Sequence, residues 1–379
     1  MRQQLAGPRG ETEASSETEA KGGTRGWRDW LTRPEVGFVV ALLFVAAVVG
    51  VGAMLESGPV QAVEPVTAAE AADAGGVEGA SVGGESAMTL PQVVVISVVQ
   101  GVTEFLPISS TGHILLVQRA MGIPAGPAAD AFAVCIQAGA VLAILGLYFR
   151  RTRQIGMGLL GRDAQGLKLG VNIVLAFLPS MFAALLFYEP IMAMFGLGPS
   201  VVTWFLGGLV IIWVARWHSR RTAETAAGAG GEADAGTDAG TGGGGGGVDD
   251  VTWRMALIIG LIQCLALVPG TSRALAAILG CLLVGMSMRA SVEFSFLLGV
   301  ITLTAAGVYE GWQNGFEMFT VYGWHVLLVG LIVTAIAAAA AVKWMVSYLD
   351  RYSIAIFGYY RIALALGVGL LLLVGYIEG

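Results

Sequence analysis

Long apolar runs alternate along the chain with short polar interruptions, and the run lengths set the first expectation. Long apolar runs, the first of them uninterrupted, lie at 36–55, 132–149, 170–188, 201–217, 292–309, 321–344 and 354–377. Each is close to the roughly 20 residues a helix needs to cross a bilayer, so the pattern predicts about seven crossings. Two further pairs of apolar pieces are too short to cross alone: 90–105 with 112–121, and 251–268 with 275–284. Each pair is broken at a proline, Pro107 and Pro269. Non-helical backbone at membrane depth is tolerated only where protein or a cavity surrounds it, so each pair is expected to be a re-entrant helix hairpin.

The same order, a broken hairpin and then three spans, occurs over 89–217 and again over 251–379. Basic residues orient it. Arg150, Arg151, Arg153 and Arg162, then Arg216, Arg220 and Arg221, then Lys343 and Arg351, all belong on the inner face by the positive-inside rule. The expected plan is then a disordered cytoplasmic tail (1–35), a transmembrane anchor (36–55) and a flexible outer linker (56–88). A disordered Gly-rich cytoplasmic loop (218–250) separates the halves, and the C-terminus lies outside. A cleaved signal peptide competes for the first run, but a 20-residue span behind a long leader favours an anchor. One hairpin starts outside and the other inside. The fold class is therefore an all-α polytopic membrane protein of two inverted repeats, each a re-entrant helix hairpin plus three transmembrane helices, with an extra N-terminal transmembrane helix. Such an arrangement brings the two broken tips together near the midplane. Pro107-Ile108-Ser109-Ser110 parallels Pro269-Gly270-Thr271-Ser272 as a weak echo of it.

Composition agrees. Of 379 residues 56% are apolar and 13% charged, which removes the soluble enzymes. The net charge of −6 comes with no basic stripe, so no nucleic-acid partner is expected. Cys135, Cys264 and Cys281 all sit in apolar runs without a CxxC spacing and are expected to be packing residues.

The chemistry concentrates at the two breaks. The stretch QGVTEFLPISSTGH, 100–113, carries Gln100, Glu104, Ser109, Ser110, Thr111 and His113 between apolar runs. Polar groups at that depth are costly, so several together point to function. Gln100 and Glu104 share a helical face. Pro107 ends that helix, and Ser109 and Ser110 can cap the next, whose free N–H groups form an anion site. Glu104, with a carbonyl oxygen from Gln100, suits a divalent cation or a base; His113 suits a nucleophile or a proton carrier. With Ser110 as the cap, His113 is one turn along. The plain alternative is a capped helix with a satisfied histidine, which would be preferred for a lone histidine but not for this cluster. At the second break, PGTSR, Ser272 is expected to cap the helix and Arg273 to open it, with Thr271 beside them. An arginine there with no acidic neighbour suits a phosphate. Glu293, Ser295 and Gln137 are candidates for a supporting layer, although Glu293 also suits a charge at the start of a helix. His218 and His325 read as interface residues.

The two break motifs closely resemble the signature regions of the undecaprenyl-diphosphatase, or bacitracin-resistance, family, over roughly 90–379 apart from the glycine-rich insertion. The first motif is long and specific; PGTSR alone would be weak. The resemblance implies interlocked inverted repeats in a bacterial plasma (inner) membrane. It also implies an integral membrane phosphatase that removes the terminal phosphate of undecaprenyl diphosphate, recycling the carrier for cell-wall synthesis and conferring bacitracin resistance. By the same likeness Gln100 and Glu104 match a (Glu/Gln)-x-x-x-Glu motif, Ser110, Thr111 and His113 a catalytic loop, and Ser272 and Arg273 a second phosphate-binding loop. The expected cofactor is a divalent cation, Mg²⁺ or Ca²⁺, and the partners are a polyprenyl diphosphate lipid and the bilayer, with a homodimer left open. Where the family continues Ser-Gly after the arginine, this chain has Ala274 and Leu275. The competing reading is a polyprenyl-phosphate flippase or other inverted-repeat transporter, which would need Arg273 and the helix N-termini but have little use for Glu104 and His113 together. An unrelated membrane phosphatase class with a PSGH-type motif expects a histidine several residues after Ser-Arg and is excluded because Ile278 and its neighbours supply none.

Overall fold

The computed structural model describes residues 88–228 and 245–377. The tail, the anchor and nearly all of the linker expected before them lie outside the described residues. Thirteen α-helices are present among the described residues. The first hairpin is α1 (Leu90–Glu104) and α2 (Ser110–Ala120). A bend at Ile136 divides the first span into α3 (Pro127–Cys135) and α4 (Gln137–Leu147). The polar α5 (Phe149–Leu159), the span α6 (Ala164–Leu186), the short α7 (Tyr188–Met192) and the span α8 (Leu197–Gly228) complete the first half. The second half runs α9 (Trp253–Gln263), α10 (Arg273–Leu283), α11 (Met288–Tyr322), α12 (Trp324–Leu349) and α13 (Ala355–Leu373).

Six of these segments are long and apolar enough to cross a membrane, counting α3 and α4 together, so the chain is a multi-pass membrane protein. Both expected hairpins are present as pairs of short helices. The expected 292–309 span is longer than anticipated: α11 continues without a break for 35 residues, about 52 Å at 1.5 Å per residue.

Small residues let the helices approach, as helix packing in lipid requires. The hairpin helix α1 lies along α12, where a Cβ at Gly101 would meet Thr334 O at 2.5 Å and Ala337 Cβ at 2.7 Å. The Thr334 hydroxyl donates to Ser97 O across the same seam at 3.2 Å. The other hairpin helix, α9, packs on α6, where Gly260 faces the main chain of Ala176. Helices α8 and α13 meet through Gly208 and Gly358.

The loop expected to be structureless over 218–250 has ordered ends. Helix α8 runs on to Gly228, and from Gly245 the chain is held again. Gly246 N–H donates to Gly285 O at 3.1 Å and Gly246 O accepts from Ser287 N–H at 3.1 Å. Arg151 then bridges Asp249 at 3.0 Å and Glu293 at 2.7 Å. Composition marked this stretch as flexible, but these last residues find backbone and ionic partners that composition does not encode.

Candidate functional site

The first tip is built by the end of α1 and the start of α2. Glu104 closes α1, and the chain turns through Phe105 to Ile108, with Ile108 N–H donating to Leu106 O at 2.8 Å. Ser109, not Ser110, occupies the cap position of α2, so Ser110 and Thr111 open the helix and His113 is its fourth residue. That corrects the sequence expectation by one position. The reason is conformational: Ser109 has φ 75°, which ends the turn one residue early. Its side chain makes no capping bond.

The second tip matches its expectation. Ser272 caps α10 by accepting from Leu275 N–H at 3.3 Å, and Arg273 is the first helical residue. Ser272 also has positive φ, at 77°. Among the described residues these two serines are the only non-glycine residues in that region, a conformation that costs on the order of 1–3 kcal/mol and tends to mark functional turns.

The tips meet at Glu104, which is 6% exposed. Its Oε2 accepts from Gln100 Nε2 at 2.6 Å and from Ser110 Oγ at 2.7 Å. Its Oε1 is paired with Arg273 Nη2 at 3.2 Å. Arg273 Nη1 also donates to Ser295 O at 3.4 Å, and its Cζ lies 5.5 Å from the centre of the Phe105 ring. Arg273 Nε is buried without a partner among the described residues. A Cβ on Gly299 would collide with this guanidinium, so the glycine makes room for it.

A cavity of about 140 Å³ opens between the tips, lined by Glu104, Ser109, Ser110, Thr111, Ser272 and Arg273, with Gln137 and Gly270 on its wall. It suits a small charged group rather than a whole lipid. A larger hollow of about 630 Å³, beside Tyr148, Arg150 and Arg151, holds none of the first tip's polar residues, so size does not locate the site. Burial holds the Tyr148 phenol there up at about 12, with the Glu293 carboxylate adding to it.

Four expected residues sit differently. His113 lies behind the first tip, 3% exposed, and is not on the cavity wall. Its Nδ1 is 2.6 Å from Ser109 O and its Nε2 is 2.8 Å from the Tyr360 hydroxyl. A carbonyl only accepts, so Nδ1 carries the proton, and in the neutral ring Nε2 is left to accept from Tyr360. Glu293 does not support the site: it faces Arg151. Residues two apart on a helix point about 200° apart, so with the Ser295 hydroxyl turned to Ala274 O at 3.4 Å, Glu293 must face elsewhere. Gln100 presents its amide nitrogen, not its oxygen, to Glu104. Thr271 supplies a backbone carbonyl to Arg361 at 3.0 Å and is not among the residues lining the cavity. Ala274 and Leu275 are 0% and 2% exposed and pack inward.

The residue that sequence reading missed is Arg361, 0% exposed within α13. The signal was available: it is the one charged residue within the last apolar run, 354–377.

Fold and site together define a polytopic membrane protein whose polar cavity is assembled from two broken helices. Residues 93–367 match the model of the family described as bacitracin resistance protein BacA, and the chain belongs to that family. It is similar to undecaprenyl-diphosphatase 2 of Rhodospirillum rubrum, 37% identical over 281 residues, which are 74% of this chain and 93% of the relative. It is also similar to the undecaprenyl-diphosphatases of Verminephrobacter eiseniae, 38% identical over 75% of this chain and 94% of that one, and of Sorangium cellulosum, 39% identical over 72% and 82%.

Proposed function

We propose that this protein is an intramembrane phosphatase that hydrolyses undecaprenyl diphosphate to undecaprenyl phosphate and inorganic phosphate, the activity for which its relatives are named. The observation that carries the mechanism is the 2.7 Å bond from Ser110 Oγ to Glu104 Oε2. A hydroxyl held on a carboxylate, itself oriented by Gln100 and Arg273, has the arrangement of an activated nucleophile.

In this reading the terminal phosphate sits in the cavity against Arg273 and the first N–H groups of α2 and α10. Ser109, Thr111 and Ser272 add hydroxyls. Ser110 Oγ attacks the terminal phosphorus and its proton passes to Glu104. The bond to the bridging oxygen breaks, and the lipid monophosphate leaves with that electron pair and with the proton held by Glu104. Glu104, a carboxylate again, deprotonates a water that attacks the phosphorus; the bond to Ser110 Oγ breaks, Ser110 takes back that proton, and inorganic phosphate leaves. Arg273 stabilises the charge that builds in both steps. His113, with both ring nitrogens engaged, acts by holding Ser109 rather than by attack. A transporter would need the anion site but not the paired hydroxyl and carboxylate.

A divalent cation fits as a visitor with the substrate. Among the described residues no three His, Cys, Asp or Glu side chains gather. Glu104, with three donors already on its oxygens, and the Gln100 amide oxygen would hold the ion only together with diphosphate oxygens. When bound, it would neutralise phosphate charge.

The inverted-repeat plan belongs to the same reading. Ser109 and Ser272 share one unusual φ, and Gln100 and Gln263 each precede their cap by nine positions. The hairpin helix of each half packs on a span of the other, α1 on α12 and α9 on α6. The basic clusters favour a cytoplasmic inner face and an outer C-terminus in a bacterial plasma membrane.

Phosphate release by purified protein from undecaprenyl diphosphate tests the function. Ser110→Ala and Glu104→Gln should each lower kcat by about 10²–10⁴-fold with the fold intact. Retained turnover in both would remove the nucleophile–base assignment.

A further inference from the structure

The last span holds a buried cation that the proposed chemistry leaves unused. Every N–H of Arg361 meets a main-chain carbonyl. Nε reaches Trp204 O at 3.4 Å, Nη1 reaches Pro107 O at 3.3 Å and Thr271 O at 3.0 Å, and Nη2 reaches Thr203 O and Gly270 O, both at 2.8 Å. These carbonyls belong to three separate segments: the first tip, the second tip and α8. None of the ion pairs among the described residues includes Arg361. An apolar residue would pack here without a charge to bury, so the guanidinium is kept for what its planar fork can hold.

We propose that Arg361 is a positioning residue that locks the two broken-helix tips at one separation, so that both halves of the site close on the same phosphate. The inference rests on the diphosphatase reading above. The route from guanidinium to cavity runs through the peptide planes. In a trans peptide the carbonyl and the following N–H point in opposite directions. Arg361 seats the Thr271 carbonyl, which turns the Ser272 N–H away from it, on the side where Ser272 lines the cavity. At the first tip Arg361 seats the Pro107 carbonyl, while His113 seats the Ser109 carbonyl and so turns the Ser110 N–H the other way. The 3.2 Å contact between Glu104 and Arg273 spans the same two tips, so its geometry is set from behind. Gly207 on α8 leaves the space: a Cβ there would run into the Arg361 guanidinium.

The test is steady-state phosphate release from undecaprenyl diphosphate by the purified full chain, with kcat and KM separated and thermal unfolding measured alongside. Arg361→Lys keeps the charge but offers three donors to five carbonyls. It should lower kcat about 100-fold per folded molecule, with KM within about threefold of the wild type. Gly207→Ala displaces the guanidinium without removing it and should lower kcat about 10-fold. A purely structural arginine would move the unfolding temperature and leave kcat of the folded fraction alone. Wild-type kcat in folded Arg361→Lys, or a change in KM only, overturns the proposal. If that variant does not fold, wild-type kcat in Gly207→Ala overturns it instead. Wild-type protein that releases no phosphate is a separate failure: it removes the diphosphatase reading and the inference with it.

Discussion

Glu104 shows how much one side chain can organise. Burial in a low-dielectric interior makes an unpaired carboxylate costly, and here Gln100, Ser110 and Arg273 together satisfy it. Ser110 gives its hydroxyl to the carboxylate rather than to its own helix because a charged acceptor makes the stronger bond. His113 is the contrasting case, a conspicuous residue turned away from the cavity. If its role is to hold the Ser109 carbonyl, then His113→Ala and Tyr360→Phe should both weaken turnover, by about 10- to 100-fold and about 3- to 10-fold. Both losses should stay well short of that in Ser110→Ala. Turnover measured on the three proteins side by side decides; a silent Tyr360→Phe beside a His113→Ala as inactive as Ser110→Ala would put the imidazole back into the chemistry.

At the scale of elements, the hairpins matter because a short helix can end inside the membrane. Helix α1 packs along α12, and Gly101 lies against the main chain of Thr334 and Ala338 in that contact. Gly101→Val should destabilise the protein by about 1–3 kcal/mol, since the Thr334 carbonyl opposite cannot yield as a side chain could. It should also lower activity, because Glu104 lies one turn further along the same helix. Thermal unfolding in detergent with matched assays reads both. The two breaks, the cap at Ser272 and the start of α10 at Arg273 were all legible in the sequence, because prolines and capping residues act locally. The register of α2 was not, since nothing in the local pattern announces a serine at φ 75°. Nor was the company of Glu293 or Arg361, which is chosen by helices far away in the chain. Arg361 was at least visible as a lone charge in an apolar run; only packing says what it holds.

At the scale of the whole molecule, the halves lend helices to each other, α1 to α12 and α9 to α6. Such an exchange should make the peptide link between the halves dispensable. Two chains, 1–236 and 237–379, expressed together should copurify and retain phosphate release within about tenfold of the intact protein, because each packs its helices closely against the other through small residues and interhelical hydrogen bonds. Fragments that purify separately would contradict this. The Arg151 contacts to Asp249 and Glu293 should contribute less, being partly exposed, so Asp249→Asn is expected to shift stability by under about 1 kcal/mol.

The pairing of Arg273 with Glu104 has a consequence for turnover. With no lipid bound, the site already supplies its own counter-ion, so an incoming anion must outbid a carboxylate for the guanidinium. A pyrophosphoryl ester, with more charge and two points of attachment, is better placed to do so than the orthophosphate it becomes. After cleavage the carboxylate is expected to reclaim its partner and help expel orthophosphate, so the side chains should reset the site themselves and added orthophosphate should inhibit only weakly.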